Sequence, residues 1–342
     1  MKIAIHHNPN SFSERWIKYC EEKNIDYKIV NAFDNDIIEQ LKDYDIFMWH
    51  HHHGKFEDVI LAKKILFSLE HAGVKVFPDF KTAWHFDDKV AQKYLLEAIN
   101  APLVPSYVFY DKETALNWAK NTSYPKVFKL KGGAGASNVK LVRGYSQAVN
   151  LINKAFGRGF SQFDRLGYFK ERYSKFKSGK DSFLGVIKGL ARIFIIPEFA
   201  KKQPKDVGYI YFQEFIPGLD SDIRIQVIGN RICGLKRFVR ENDFRASGSG
   251  NFIEFNEKNI DKEILNIAIK AKRKINSQCL TIDFIYKNNK PMVVEVSYGF
   301  PTKFYDNCEG YWDEKLVWHK GNFNPQYWMI ENLIKEIEND QY

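Results

Sequence analysis

Two short apolar runs late in this chain, residues 281–286 and 292–296, each carry one carboxylate: Asp283 in Thr-Ile-Asp-Phe and Glu295 in Val-Val-Glu-Val-Ser. Asn288-Asn289 lies between them, so they read as antiparallel strands joined by a turn. In such a pair the two acids can face the same side of a sheet. An acid in an apolar strand is costly to bury unless it is paired or coordinates a metal. The pattern therefore points to a divalent cation held by oxygen, or to acids satisfied by Arg or Lys.

The first 80 residues alternate short apolar runs (2–6, 27–30, 46–49, 74–77) with helical patterns, the rhythm of a small open parallel sheet. They lack a G-x-G-x-x-G turn, so a Rossmann-like domain over 1–84 is expected without a dinucleotide site. Asp87-Asp88 then caps a helix over 89–100. A strand at 104–110 follows, then a strand at 126–130, a glycine-rich turn (Gly132-Gly133-Ala134-Gly135-Ala136-Ser137), a strand at 139–142 and a helix over 146–156. Strand, glycine turn, strand is a hairpin that can fold over phosphates. Strands resume at 209–215, 223–228 and 231–239, with a helix over 261–276 before the acidic pair, and the chain closes on a helix over 325–337.

The net charge of +9 is concentrated. Residues 158–205 hold twelve Lys or Arg against four acids, +8 of that total, so the rest of the chain is nearly neutral. This basic segment, 157–206, interrupts the strand pattern and contains a helix over 181–194. In it Asp181, Gly185, Lys188 and Arg192 form a polar stripe and leave a broad apolar face that is expected to be buried. No apolar run approaches the roughly 18 residues of a membrane span. The start of the chain carries no secretory pattern, and four widely spaced cysteines show neither a zinc nor a disulfide framework. A cytoplasmic protein is expected.

Lys89, Lys129 and Lys131 sit beside the glycine turn, where ammonium groups can neutralise phosphate. Arg224, Arg237 and Arg245 lie in or after apolar strands and can converge on the paired acids. Taken in order, Pro-Lys-Val-Phe-Lys129 with its glycine loop, Phe-Gln-Glu214-Phe-Ile-Pro-Gly, Asp222-Ile-Arg224, Arg237, Asn-Asp-Phe-Arg245, Asp283 and Glu295-Val-Ser297 resemble the ATP-grasp ligases. The likeness is nearest to the ribosomal-protein glutamate ligase (RimK-like) branch, with glutathione synthetase and D-alanine:D-alanine ligase further off, and covers about residues 85–300. It implies an α/β chain, α+β in its catalytic part: a Rossmann-like domain, an ATP-grasp region over 85–300 with the basic segment as an insertion, and an aromatic-rich cap over 301–342.

The resemblance also implies roles. Lys89, Lys129 and Lys131, with Gly133, Gly135 and Ser137, would hold the ATP phosphates; Glu214, Phe215 and Ile216 would form the adenine hinge, and Asp222 would lie near the ribose. Arg224, Arg237 and Arg245 would face the transferred phosphoryl group, and Asp283, Glu295 and Ser297 would bind Mg²⁺. The family usually has Asn where this chain has Ser297, a weaker donor that can act through water. Phosphoryl transfer would activate a carboxylate as an acyl phosphate for attack by an amine or similar nucleophile.

An ATP-grasp kinase acting on a hydroxyl shares this nucleotide site. A nucleic-acid-binding protein would explain the charge, but no nucleic-acid motif accompanies it. The run His50 to His53 lacks companions at metal-ligand spacing and reads instead as a loop at the C-terminal end of a strand, in reach of substrate. The aromatic tail is similar to those of ATP-grasp proteins of bacterial surface-polysaccharide biosynthesis, which implies a sugar carboxylate or amino sugar as substrate. For the basic segment an anionic membrane surface or an acidic glycan is the expected partner.

Overall fold

The computed structural model describes residues 1–133, 138–161, 165–177, 181–195, 201–202, 204–239, 252–254, 257–258 and 260–340. The expected glycine-loop residues Gly135 and Ser137, and Arg245, lie outside the described residues.

The N-terminal rhythm folds as expected. Strands β1 (Ile3–His6), β2 (Tyr27–Val30), β3 (Ile46–Trp49) and β4 (Lys75–Phe77) form a four-stranded sheet in the order β2-β1-β3-β4, with every pair parallel. Parallel neighbours need crossovers, supplied by α1 (Ser13–Lys23), α2 (Ile37–Leu41) and α3 (Phe56–His71). Both faces are thereby covered, which is why β1 and β3 are buried throughout.

After α4 (Phe80–Ala83) and α5 (Lys89–Ala98), strand β5 (Ser106–Phe109) opens a second sheet. It is completed by β6 (Lys126–Lys129), β7 (Val139–Val142) and β8 (Ile210–Glu214) in the antiparallel order β5-β8-β6-β7. Helices α6 (Lys112–Asn121) and α7 (Tyr145–Ala155) cover one face and share a core with Phe128, Leu130, Val142 and Phe212. Strand alternation turns Lys129 to the opposite face from Phe128.

Between β7 and β8 the described residues of the basic segment include the helices α8 (Arg165–Lys177) and α9 (Phe183–Phe194). The apolar face of α9 is not buried: Gly185 and Gly189 turn inward, and Phe183, Leu184, Ile187, Leu190 and Phe194 are exposed.

The third sheet contains β9 (Ser221–Ile228), β10 (Arg231–Phe238), β11 (Phe252–Glu254), β12 (Cys279–Lys287), β13 (Lys290–Ser297), β14 (Gly310–Asp313) and β15 (Trp318–Lys320). Its order is β13-β12-β9-β10-β14-β15, with β11 also on β10. The amphipathic helix α10 (Lys262–Ile275) buries Ile264, Leu265 and Ala268 against Ile225, Leu280, Ile282 and Phe284 of this sheet. Alternation then sends Asp222, Arg224, Gln226, Thr281 and Asp283 to the other face. Within the aromatic tail, β14 and β15 extend the sheet, and the last helix, α11 (Pro325–Asp340), joins α1 in a core with Trp16, Trp328 and Ile330.

Candidate active site

The polar face of the large sheet is built on a row of register partners. Asp283 of β12 stands opposite Arg224 of β9 on one side and Glu295 of β13 on the other, while Arg237 of β10 stands opposite Asp222. Arg224 donates through Nε and an Nη to both Asp283 oxygens, at 2.7 and 2.8 Å. Arg237 holds both oxygens of Asp222 at 2.6 Å and reaches Asp283 Oδ2 at 2.7 Å. The result is a buried chain of alternating charge. Burial alone would raise the Asp283 carboxyl, but the two guanidinium groups outweigh it and hold it well below the usual carboxylate range. Asp222, with one full guanidinium partner, is pushed up by burial and by the Asp283 charge.

The second sheet supplies the facing wall. Lys129, at the end of β6, is buried, and among the described residues its ammonium group makes no hydrogen bond. Burial lowers it to about 8, while Glu295 and Asp283 pull the other way and Lys89 adds to the lowering. Lys89, at the start of α5, donates to the Gly133 carbonyl at 2.9 Å and stands 4.0 Å from Glu295. It is placed there because Asp88 caps α5, accepting from the N–H groups of Val90 and Ala91, both at 3.0 Å. Lys129 thus interacts electrostatically with Glu295, Lys89 and Asp283, and Lys89 joins the glycine turn to Glu295, so the two ammonium groups, the turn and the acids are neighbours.

Other expected residues are distributed differently. Lys131 uses its backbone, accepting from Lys89 N–H at its carbonyl and donating its own N–H to Tyr209 Oη, whereas its exposed side chain is 3.8 Å from Asp206. Glu214 is held by buried Lys126 at 2.7 Å and by the Tyr107 hydroxyl at 3.0 Å, and Phe215 and Ile216 follow directly after β8. Ser297 Oγ accepts from Gly299 N–H at 3.0 Å and donates to the Gly299 carbonyl at 3.1 Å.

Sequence reasoning missed Asp87. Read as part of a capping pair, it instead adopts a left-handed backbone (φ 55°) and accepts the Gly133 N–H at 2.8 Å, fixing the glycine turn. Burial raises its carboxyl, opposed first by Lys89. The signal was available: of two adjacent acids only one can be the cap.

The histidine run follows β3. His50 stacks on Phe12 at 3.6 Å and accepts its N–H, and the Tyr298 hydroxyl donates to the His51 carbonyl at 2.7 Å, so this half of the run is packing. His52 and His53 lie 4.2 Å apart at the site's edge, where His52 senses Asp87 and His53 senses Lys89. Burial lowers both to about 4, so they are neutral near pH 7.

Magnesium takes hard oxygen donors, usually one or two protein carboxylates beside substrate phosphates. Asp283 has three of its roughly four lone-pair positions filled by guanidinium N–H groups. Glu295, 32% exposed, is the open carboxylate. That donor set fits a cation shared with phosphates, with Glu295 leading. It is not an all-protein cage: among the described residues no group of three His, Cys, Asp or Glu could hold a metal.

A RimK-like ATP-grasp domain matches residues 204–308, and the ATP-binding domain of carbamoyl-phosphate synthase L chain matches residues 88–178. The alpha-aminoadipate–LysW ligase LysX of Saccharolobus solfataricus is 24% identical, over 93% of this chain and 96% of its own length. D-alanine–D-alanine ligase from Bacillus anthracis superposes with a TM-score of 0.54 at 14% identity, covering 99% of each chain. The biotin carboxylase domain of Hydrogenobacter thermophilus 2-oxoglutarate carboxylase, solved with MgADP, gives 0.56 at 14% identity, covering 96% of this chain and 68% of that one. Residues 204–308 thus match a RimK-like ATP-grasp domain, residues 88–178 match an ATP-binding domain, and the fold over almost the whole chain is similar to that of D-alanine–D-alanine ligase. These matches support an ATP-dependent ligase of the ATP-grasp type with RimK-like character over residues 204–308.

Proposed function

We propose that this ligase joins a carboxylate to an amine or similar nucleophile through an acyl phosphate. The observation that carries the reading is the placement of Lys89, Lys129 and the Gly133 turn opposite Glu295 and the Asp283–Arg224–Arg237 network. In this reading the lysines neutralise the phosphates, and Gly133, fixed by Asp87, positions the turn above them. Glu295 and Asp283 would hold Mg²⁺, which supplies Lewis-acid neutralisation of phosphate charge. Arg224 and Arg237, already oriented by carboxylates, offer preorganised positive charge to the reacting phosphoryl group and to a tetrahedral oxyanion. Arg245, Gly135 and Ser137 retain their expected roles, and Glu214 to Ile216 and Asp222 those of adenine and ribose contacts.

The finer reading is a cytoplasmic enzyme acting on a sugar or amino-acid substrate in surface-polysaccharide synthesis, with its basic segment meeting an anionic partner. It is supported by the tail resemblance and by Tyr305, whose buried hydroxyl has no partner among the described residues and sits within electrostatic reach of Arg224 and Arg237. The test is ADP release from ATP over a panel of acids with pooled amines, repeated with hydroxylamine. A hydroxamate of the active acid is the expected product. Turnover without hydroxamate would identify a kinase instead.

A further inference from the structure

The outward face of α9 is at odds with its composition. Phe183, Leu184 and Phe194 are 63%, 67% and 79% exposed, and Ile187, Leu190 and Ile195 are exposed beside them. Tyr173 and Phe176 of α8 add to the apolar surface, with the Phe176 ring 5.9 Å from that of Phe183. Isolated exposed apolar residues are ordinary, but a contiguous set on one helix marks an interaction surface.

The helix is held in this orientation from behind. A Cβ on Gly189 would stand 3.2 Å from Arg172 Cβ and 3.4 Å from the Phe169 ring, so the glycine side is what lets α9 lie close on α8. Arg172 also donates to Asp181 at 2.8 Å and to the Tyr168 hydroxyl, and Ser182 caps the helix through the Gly185 N–H. The polar stripe is thus partly used inside the hairpin, and the apolar stripe is left outside.

Charge decides what can cover it. The segment carries +8, and Lys177, Lys188 and Arg192 are exposed with the apolar residues. A second copy of this chain would bring another +8 to the same surface, so self-association is opposed. A twelve-residue helix is too short to cross a bilayer, and no described helix is long and apolar enough to do so. Apolar side chains on one face with flanking cations suit the boundary between headgroups and acyl chains.

We propose that the α8–α9 hairpin docks the enzyme on an anionic lipid bilayer, with the apolar face of α9 entering the interface and its Lys and Arg meeting lipid phosphates. Just beyond the hairpin, Lys202 lies 3.5 Å from Glu57 and over the Phe56 ring at the start of α3, next to the His52–His53 loop.

The test is co-sedimentation of the full chain with phosphatidylcholine vesicles and with mixed phosphatidylcholine–phosphatidylglycerol vesicles, at low and high salt. Binding to the anionic vesicles that weakens with salt, and little binding to the neutral ones, is expected. Leu184→Asp with Leu190→Asp should weaken partition by at least about tenfold, since two apolar side chains are withdrawn and negative charge is added. ATP affinity and circular dichroism should be unchanged in that variant. Lys188→Glu with Arg192→Glu, at exposed polar positions, gives the same readout if the first variant misfolds. No binding to anionic vesicles at low salt would overturn the proposal. So would equal binding by wild type and variants, a dimer lost on changing Leu184 and Leu190, or capture of a soluble acidic polysaccharide without vesicle binding.

Discussion

Arg237, itself buried, bridges two carboxylates, Asp222 and Asp283. Removing one member of such a chain leaves buried charge uncompensated, at a cost of about 3–5 kcal/mol. Arg237→Ala should therefore lower unfolding free energy by that amount in urea titration, apart from any effect on catalysis. Glu295 is the contrast. It is partly exposed and only loosely paired with Lys89, so Glu295→Gln should keep the melting temperature within a degree or two while ATP turnover falls to background. Full activity in that variant would remove Glu295 from the metal site. Lys129 makes a statement about pH. Its folded value, lowered to about 8 by burial, means that the nucleotide-free site is partly deprotonated at and above pH 8. Phosphate favours the charged form, so ATP binding should take up a proton near pH 8–9 and take up much less near pH 6.5, where Lys129 is already charged. Calorimetric titrations in two buffers of different ionisation heat measure that uptake, and Lys129→Met should abolish it. At this scale the sequence carried the candidate residue types and their order. It could not show that Arg224 and Arg237 both fall on Asp283, because that depends on the register of three strands distant in the chain.

Elements with strong local signals were legible. The β6 strand, the acidic hairpin and the helix Lys262–Ile275 each combine periodicity with a turn or cap that marks their limits. The β14–β15 pair was not anticipated: it is short and aromatic, and its only reason to be strand is the open edge of β10 beside it. The orientation of α9 was not legible for a related reason: periodicity locates an apolar face without saying whether anything covers it, and the close packing of Gly189 on α8 is a tertiary contact. One cap carries consequences for the site. Asp88 satisfies two N–H groups at the start of α5, and the next residue is Lys89. Asp88→Ala should cost about 1 kcal/mol of stability. It should also raise the Kd for ATP, because the first turn that aims Lys89 at Gly133 frays; an unchanged Kd with the stability loss present would show that Lys89 is positioned by the tertiary fold alone.

Over the whole molecule the cores divide unevenly. Ile3, Phe12 and Trp16 of the N-terminal unit share one core with Ile228, Leu235 and Cys279 of the large sheet and with Trp328 and Ile330 near the C-terminus. These parts bury their apolar surface together and should open together. The second sheet has its own core, drawn from Ala115, Phe128, Ile152, Phe212 and their neighbours within residues 115–212. Among the described residues its links to the remainder include polar ones: Gln213 to the Val294 carbonyl, Lys89 through its ammonium group to the Gly133 carbonyl and through its N–H to the Lys131 carbonyl, the Gly133 N–H to Asp87, Lys202 to Glu57, and the backbone pairing of Val104 with Val293 just before β5. A unit with a separate core and polar attachments opens at lower free energy than the body it is attached to. Amides of β5, β6, β7 and β8 should therefore exchange with deuterium sooner than those of β1, β3, β9 and β12. Nucleotide held between Lys129 on one sheet and Glu295 on the other ties the two bodies, and a ligand at a hundred times its Kd stabilises the form that binds it by about 2.7 kcal/mol. Addition of a non-hydrolysable ATP analogue with Mg²⁺ should accordingly slow exchange in β5 to β8 and leave the shared core almost unchanged. Equal protection of both bodies without nucleotide, and no selective slowing with it, would mean that the polar attachments hold the second sheet as firmly as a common core does.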